Sequence, residues 1–158
     1  MIQKKSSHLD DEGNINMVDV GEKKVTTRIA RAAAELTATP ETIEAIWSHQ
    51  LPKGDALTTA KIAGIQAAKQ TANLIPMCHT LLLDKVDVSF ERTSHGIQLQ
   101  SEVRLSGKTG AEMEALSAVT IAALTLYDMA KSVQKDMVIT NARLVYKDGG
   151  KSGRYENT

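Results

Sequence analysis

The chain has 158 residues, enough for one domain with a buried core. Its 19 Lys and Arg balance its 19 Asp and Glu, and aromatic residues make up only 3% of it, which argues against nucleic acid or an anionic membrane as a partner. Apolar runs such as residues 81–83 are far shorter than the ~20 residues that span a bilayer, and the lone Cys78 excludes an intrachain disulfide. We therefore expect a soluble cytoplasmic protein.

The two ends of the chain differ in composition from its middle. Residues 1–14 are rich in Lys, Ser, Asp and Gly and carry no apolar period, which predicts a flexible lead-in. Residues 15–158 are predicted to form a single domain. A second Gly-rich stretch, at residues 148–153, predicts a flexible C-terminal tail.

The first elements are a predicted strand and two helices. Residues 25–36 combine β-branched residues with an Ala run, and we favour a strand there over a helix. Thr39 as a cap and Pro40 in the first turn predict a helix that ends near Gln50. Asp55 is predicted to cap a second helix, rich in small residues that allow close packing, from about residue 56 to 74.

The second half predicts a hairpin, a long helix and a last strand. Apolar residues alternate with polar ones on both sides of residues 94–96, as in a β-hairpin. Residues 112–135 have helical spacing, and residues 137–146 predict a strand. This order predicts an α+β, ferredoxin-like sandwich in which helices pack on one face of an antiparallel sheet.

The long helix carries charge beside its apolar stripe. Asp128, Lys131 and Lys135 step by three and four along one face. An Asp128–Lys131 ion pair on a solvated face is the simplest interpretation. Glu114 falls near the same meridian about four turns earlier, so that the helix can present charged groups at both ends.

Two Gly-Lys pairs, at residues 107–108 and 150–151, resemble the end of a phosphate-binding loop. A P-loop also needs a glycine five residues earlier, where this chain has Glu102 and Val145. A P-loop is therefore excluded. Each lysine can still bind a phosphate through its charge and the adjacent backbone N–H groups, or lie in an ordinary turn.

Cys78 and His79 follow Pro76, at a predicted change of chain direction. The other histidines have no ligand spacing to this pair, so we expect no zinc site. His79 is predicted to be either a structural hydrogen-bonding group or a proton carrier. Lys53, between Pro52 and Gly54, is either solvated or, if its turn closes over a pocket, available for acid–base chemistry.

Several blocks of sequence, in order, resemble the cyclic pyranopterin monophosphate synthase family of molybdenum cofactor biosynthesis. The resemblance covers roughly residues 15–153. The blocks are Met-Val-Asp-Val at 17–20, Lys-Gly-Asp at 53–55, Ala-Lys-Ile-Ala-Gly-Ile-Gln-Ala-Ala-Lys at 60–69, Leu-Ile-Pro-Met-Cys-His at 74–79, Gly-Lys-Thr-Gly-Ala-Glu-Met-Glu-Ala-Leu at 107–116, Tyr-Asp-Met-Ala-Lys at 127–131 and Gly-Gly-Lys-Ser-Gly at 149–153.

The resemblance implies a lyase that converts 3′,8-cyclo-7,8-dihydro-GTP to cyclic pyranopterin monophosphate and pyrophosphate. It also implies a ferredoxin-like homohexamer, a trimer of dimers with active sites at subunit interfaces. Its implied catalytic residues are Asp128, Lys53 and Lys131. The implied substrate-binding residues are Met77, Cys78, His79, Met113 and Glu114, with Asp19, Arg28, Lys108, Glu112, Lys147 and Lys151 as further candidates. Of these, Arg28, Lys147 and Lys151 are expected at the phosphates, with Asp19 nearby in the pocket.

The implied chemistry moves protons and stabilises a leaving pyrophosphate. Lys53 and Lys131 are expected to transfer protons, for which the lysine pKa values have to be lowered, and Asp128 is expected to orient Lys131 or to act as a base. Arg28, Lys147 and Lys151 are expected to stabilise the leaving charge. No motif requires a metal, and Mg²⁺ is expected only with the triphosphate.

The match departs from the family pattern at Met77, Thr80 and Ala130, none of which removes an acid, base or cation. Two alternatives stay open from the residues alone. One is a ferredoxin-like sensor that binds a nucleotide or pterin without converting it. The other is a structural oligomer built on the Ala-rich helices.

Overall fold

The computed structural model of the chain describes residues 7–157. It contains these helices and strands: β1 (Thr26–Thr37), α1 (Pro40–Trp47), α2 (Ala56–Lys69), α3 (Thr71–Leu74), β2 (Lys85–Arg92), β3 (Gly96–Gly107), α4 (Glu112–Ala130), β4 (Val138–Asp148) and β5 (Tyr155–Glu156).

The strands form one antiparallel sheet in the order β2-β3-β1-β4-β5. The first four of these positions have the ferredoxin-like order, and the helices pack on one face, so the predicted fold is confirmed. Because β1 lies between β3 and β4, both edges of its backbone are hydrogen-bonded and the strand is favoured over a helix. Its alternate residues Ala30, Ala32, Ala34 and Leu36 are fully buried.

Both predicted helix caps are present, but the helices are shorter than predicted. The Thr39 hydroxyl accepts from the Thr42 N–H, and an Asp55 carboxylate oxygen accepts from the Thr58 N–H at 3.0 Å. α1 ends at Trp47 rather than near residue 50. The predicted single helix to residue 74 is wrong, since it breaks at Gln70, whose N–H is shared by two preceding carbonyls.

The long helix also ends early. α4 stops at Ala130 rather than Lys135, and the Ala130 carbonyl accepts from the N–H groups of both Val133 and Gln134 in a closing turn. Lys135 therefore does not continue the charged face of the helix. Its carbonyl instead accepts a hydrogen bond from the Tyr127 hydroxyl at 2.6 Å.

Among residues 7–157, α4 is the one helix long and apolar enough to span a membrane by length and composition. It packs on α2, β1 and β3, and nine of its residues are buried. These contacts identify α4 as the central helix of the core.

The terminal segments carry structure of their own. Residues 1–6 of the predicted flexible lead-in lie outside the described residues. In the remainder, the Asp10 carboxylate accepts from the N–H groups of Glu12 and Asn14, and Leu9 forms a β-bridge with Ile15. Near the C-terminus, β5 pairs with the end of β4.

The small residues of α2 bring it against α4, as predicted. Gly64 is the closest point, because a Cβ atom there would lie 2.8 Å from the Ala118 carbonyl oxygen and 2.9 Å from a methyl group of Val88. Ala60 and Ala68 on the same helix are also buried. The position of α4 therefore depends on the absence of a side chain at residue 64.

We expect Gly64→Val to lower the free energy of unfolding by about 2–3 kcal/mol, since overpacking a closed helix contact costs more than any gain in helix propensity. Urea unfolding at fixed protein concentration measures the change. Gln66→Val, which inserts the same side chain at an exposed position of α2, is the control and should cost about 0.5 kcal/mol. Equal losses in the two variants would contradict close packing at Gly64.

Candidate active site

A cavity of about 430 Å³ opens beside the N-terminus of α4. Three segments enclose it: the N-terminal segment, the bend after α3, and the loop that enters α4. Six of the predicted site residues line it together. The lining residues are Ser7, His8, Val18, Val20, Lys23, Met77, Cys78, His79, Leu81, Thr109, Gly110, Glu112, Met113 and Glu114.

Glu114 is the most buried ionisable group of this cavity. Only 4% of the residue is exposed. Burial, and secondarily the charge of Glu112, raises the pKa of its carboxyl to about 7. Glu114 therefore exchanges a proton near neutral pH, and its neutral form can donate a hydrogen bond to a bound ligand.

Cys78 and His79 contribute an uncharged thiol and an oriented ring. Burial, followed by the charge of Glu114, raises the pKa of the Cys78 thiol, so it is a thiol rather than a thiolate at neutral pH. The His79 Nε2 atom lies 2.7 Å from the Val18 carbonyl oxygen. Since a carbonyl only accepts, Nε2 carries the proton and, in the neutral ring, Nδ1 is the acceptor.

Four cationic residues lie on the segments next to the cavity, and we call them the basic rim: Arg28, Lys108, Lys147 and Lys151. Arg28 donates to the carbonyls of Gly149 and Lys108 at 3.3 and 3.2 Å, which joins the β4 end to the loop before α4. Among the described residues its Nε atom is buried without a partner. Lys151 is exposed in the turn after β4.

Glycines allow this turn to cover the Arg28 guanidinium. Gly149 and Gly150 have φ angles of 105° and 77°, in the left-handed region that favours glycine. A Cβ atom at Gly149 would meet the Thr27 carbonyl, and one at Gly150 would meet the Arg28 guanidinium. The Gly-Gly pair before Lys151 is thus required by the approach of Arg28.

The other two lysines of the basic rim, Lys147 and Lys108, form hydrogen bonds. The Lys147 Nζ atom lies 2.9 Å from Glu112 Oε1 and 3.3 Å from Ser152 Oγ. Lys108 donates to the Gly21 carbonyl. Asp19, predicted near the phosphates, is not part of the cavity lining, and its carboxylate accepts instead from the Gly21 N–H at 2.7 Å.

Lys53, Asp128 and Lys131 form a second cluster, which we call the lysine–aspartate cluster. The two Asp128 oxygens bind one lysine each, at 2.8 Å, and Lys53 also donates to the Asp128 carbonyl at 2.9 Å. The chain folds so that the Lys53 turn, before α2, reaches the end of α4. The predicted pairing of Asp128 with Lys131 is confirmed, and Lys53 joins it.

The charges of this cluster stabilise one another. Hydrogen bonds from Lys131 and then Lys53 lower the pKa of Asp128 to about 2. The same contact with Asp128 raises the pKa of Lys131. The expectation of a lowered pKa at Lys131 is therefore wrong for this chain, because its partner carboxylate favours the charged ammonium. Lys131 is therefore held in its protonated, charged form, and Asp128 stays ionised.

The lysine–aspartate cluster does not line the cavity. Asp128 follows Glu112 by sixteen residues on α4, which at about 1.5 Å per residue places their backbones about 24 Å apart. The two groups of predicted site residues lie at opposite ends of one rigid helix. Within a single chain, the cavity residues and the lysine–aspartate cluster therefore do not contact the same part of a small molecule.

From the N-terminal segment the sequence analysis named Asp19 alone, and it missed the residues of this segment that line the cavity. Val18, Val20 and Lys23 line it, as does Thr109 from the loop before α4. The stretch before β1 has no periodic pattern, and its tertiary contacts with His79 and Lys108 place it at the site. Within residues 7–157, no group of three or more His, Cys, Asp or Glu side chains is arranged to hold a metal ion.

Comparisons with known proteins agree on one family. The model of the MoaC family matches residues 17–150. A protein of Oleidesulfovibrio alaskensis named "Cyclic pyranopterin monophosphate synthase" is 53% identical over 151 residues, which cover 94% of this chain and 95% of that protein. A protein of the same name from a Nostoc species is 56% identical over 151 residues, covering 94% and 90%.

The raised pKa of Glu114 predicts a pH dependence of stability. The unfolded chain ionises this carboxyl near pH 4.5, whereas the folded chain keeps the proton until about pH 7. Raising the pH through this window therefore favours the unfolded state. Wild type should lose up to about 3 kcal/mol that Glu114→Gln retains.

Urea unfolding of wild type and Glu114→Gln, at about pH 5 and about pH 8, measures this difference. Glu41→Gln, at an exposed first-turn position of α1, is the control and should follow wild type. If the difference in unfolding free energy between wild type and Glu114→Gln stays constant with pH, the pKa of Glu114 is not raised in the folded protein.

Proposed function

The chain belongs to the MoaC family, and we propose that it converts 3′,8-cyclo-7,8-dihydro-GTP to cyclic pyranopterin monophosphate, releasing pyrophosphate, in molybdenum cofactor biosynthesis. One observation carries this proposal: relatives that are 53% and 56% identical over 94% of the chain bear the name of that synthase. These names favour a cyclising lyase over a sensor that binds a nucleotide or pterin without converting it.

The cavity is proposed to hold the ring system of the substrate. The cavity is lined by Met77, Cys78, His79, Met113 and Glu114, the residues for which the family resemblance implies substrate binding. Such rings present several N–H donors and ring-nitrogen acceptors, which His79 Nδ1 and the Glu114 carboxyl can pair with. Opening and closing these rings requires proton transfers near neutral pH, which the raised pKa of Glu114 suits.

The basic rim is proposed to hold the phosphates. Attack on the α-phosphorus expels pyrophosphate, so negative charge grows on the leaving oxygens. Fixed cations held in place before the reaction stabilise such charge without reorganisation. Arg28 is held by two carbonyl contacts, and Lys108, Lys147 and Lys151 lie in the strand end and loops around it.

The lysine–aspartate cluster is proposed to transfer protons. Asp128 remains ionised and orients both lysines, a positioning role that its low pKa supports more than a role as base. Lys131, which its contact with Asp128 keeps protonated, is proposed to be the proton donor. Displacement of Asp128 from Lys131 on substrate binding would lower the pKa of the lysine, so that the ammonium gives up its proton more readily.

A second copy of the chain is proposed to complete the active site. The cavity and the lysine–aspartate cluster lie about 24 Å apart along α4, so both reach one substrate if the cluster of one copy meets the cavity of another. A two-fold dimer provides two such sites. The homohexamer of three dimers expected from the family remains part of this proposal.

The proposal needs no resident cofactor, and any Mg²⁺ is expected to arrive with the triphosphate. A cytoplasmic location is also part of it, supported by the lone Cys78 and the biosynthetic role of the named relatives. No nucleic-acid or membrane partner is proposed.

Turnover of the cyclic dihydro-GTP intermediate by purified protein tests this function directly. Wild type should release cyclic pyranopterin monophosphate and pyrophosphate in equal amounts. Lys131→Ala should lower kcat by about 100-fold or more while substrate affinity changes little, because a proton-transfer group acts mainly in the transition state. Lys53→Ala should behave alike, and Lys69→Ala, at the exposed end of α2, is the control.

If the protein binds the intermediate but releases neither product, the synthase assignment is wrong and the sensor is supported. Parallel losses of affinity and turnover in the Lys53 and Lys131 variants would instead assign these lysines to substrate binding alone.

Mixed oligomers test the shared site. His79→Ala and Lys131→Ala chains, each nearly inactive alone, should regain activity when co-expressed with different tags. Random pairing leaves about a quarter of the sites with both groups intact in a two-fold dimer. A mixture no more active than its components would place the whole site within one chain.

A further inference from the structure

Glu112 places its carboxylate on the basic rim, where it pairs with Lys147. Its Oε1 atom lies 2.9 Å from Lys147 Nζ, with the two side chains 29% and 28% exposed. The pair is thus partly shielded from water, where opposite charges attract more strongly than at an open surface. Ser152 is the other described hydrogen-bond partner of the Lys147 ammonium.

The surroundings of the Glu112 carboxylate suit an anion. Glu112 is the first residue of α4, whose N-cap residue Ala111 offers no side-chain cap, and helix N-termini attract negative charge. The carboxylate folds back over Gly110, where a Cβ atom would collide with it. Arg28 holds both neighbouring loops through Lys108 and Gly149.

We propose that Glu112 is an internal competitor for the pyrophosphate subsite: its carboxylate neutralises Lys147 in the free protein, yields this lysine to the phosphates, and takes it back as pyrophosphate leaves. This inference rests on the proposed function for the identity of the anion. It replaces the expectation that Glu112 is a direct ligand of the substrate.

The consequence of such a competitor is weaker product binding. A tethered carboxylate has a high effective concentration at Lys147, so an incoming phosphate has to displace it. The displacement lowers the affinity for free pyrophosphate, whereas the triphosphate substrate retains the contacts of its ring system in the cavity. Glu112 thereby promotes release of the leaving group without touching the reacting atoms.

Inorganic pyrophosphate is the probe that tests this role, by titration calorimetry on the assembled, full-length protein. Glu112→Gln keeps the shape of the side chain but removes its charge, and should bind pyrophosphate about tenfold more tightly than wild type. In turnover assays the same variant should show correspondingly stronger inhibition by added pyrophosphate.

Two controls assign the effect to the Glu112–Lys147 pair. Glu44→Gln removes one charge from the Glu44–Arg92 ion pair, which lies toward the opposite end of β1 in the sheet register, and should leave pyrophosphate binding unchanged. Lys147→Met should weaken binding, and adding Glu112→Gln to it should bring back none of the lost affinity, since the competition needs Lys147. Far-ultraviolet circular dichroism confirms that each variant is folded.

The outcomes separate this inference from the proposed function. Equal or weaker pyrophosphate binding by Glu112→Gln, in a protein that turns over the intermediate, overturns the competitor role alone. Tighter binding that persists in the Lys147→Met background also overturns it, because the effect then comes from general charge. Tighter binding that requires Lys147, in a protein without turnover, supports the anion subsite and removes the synthase assignment.

Discussion

The burial of α4 between the sheet and α2 is the constraint on which the site depends. Gly64 lets α2 approach the Ala118 carbonyl, and the small residues Ala115, Ala122 and Ala123 of α4 are fully buried. A helix packed this closely does not bend or slide at small cost. Both of its ends are therefore fixed, one at the cavity and the other at the lysine–aspartate cluster.

The three carboxyl groups that matter on α4 differ in what surrounds them. Asp128 has two lysines and stays ionised, Glu112 has one lysine and a helix N-terminus, and Glu114 is buried without a cation among its described contacts. Desolvation raises an acid's pKa and paired cations lower it. One helix thus presents an orienting anion, a displaceable anion and an acid that exchanges protons near pH 7.

Much of the fold followed from local chemistry, and the errors occurred where tertiary contacts decide. The caps at Thr39 and Asp55 were predictable because a side-chain oxygen meets N–H groups within three residues. The break at Gln70 and the end of α4 at Ala130 were missed, since apolar spacing continues past both points. The helical spacing of apolar residues predicts which side chains can pack against the core, but the neighbouring elements determine where the helix ends.

Periodicity and contiguous motifs were enough to predict the ferredoxin-like order of elements and the family, and they named candidate residues for the site. They left open which residues meet. Only the tertiary structure joined Lys53 to Asp128, placed Val18 against His79, and set Glu112 on Lys147. These contacts link residues far apart in the chain, so they cannot be obtained from spacing along the sequence. The contact with Lys53 also helps to lower the pKa of Asp128, which spacing could not show either.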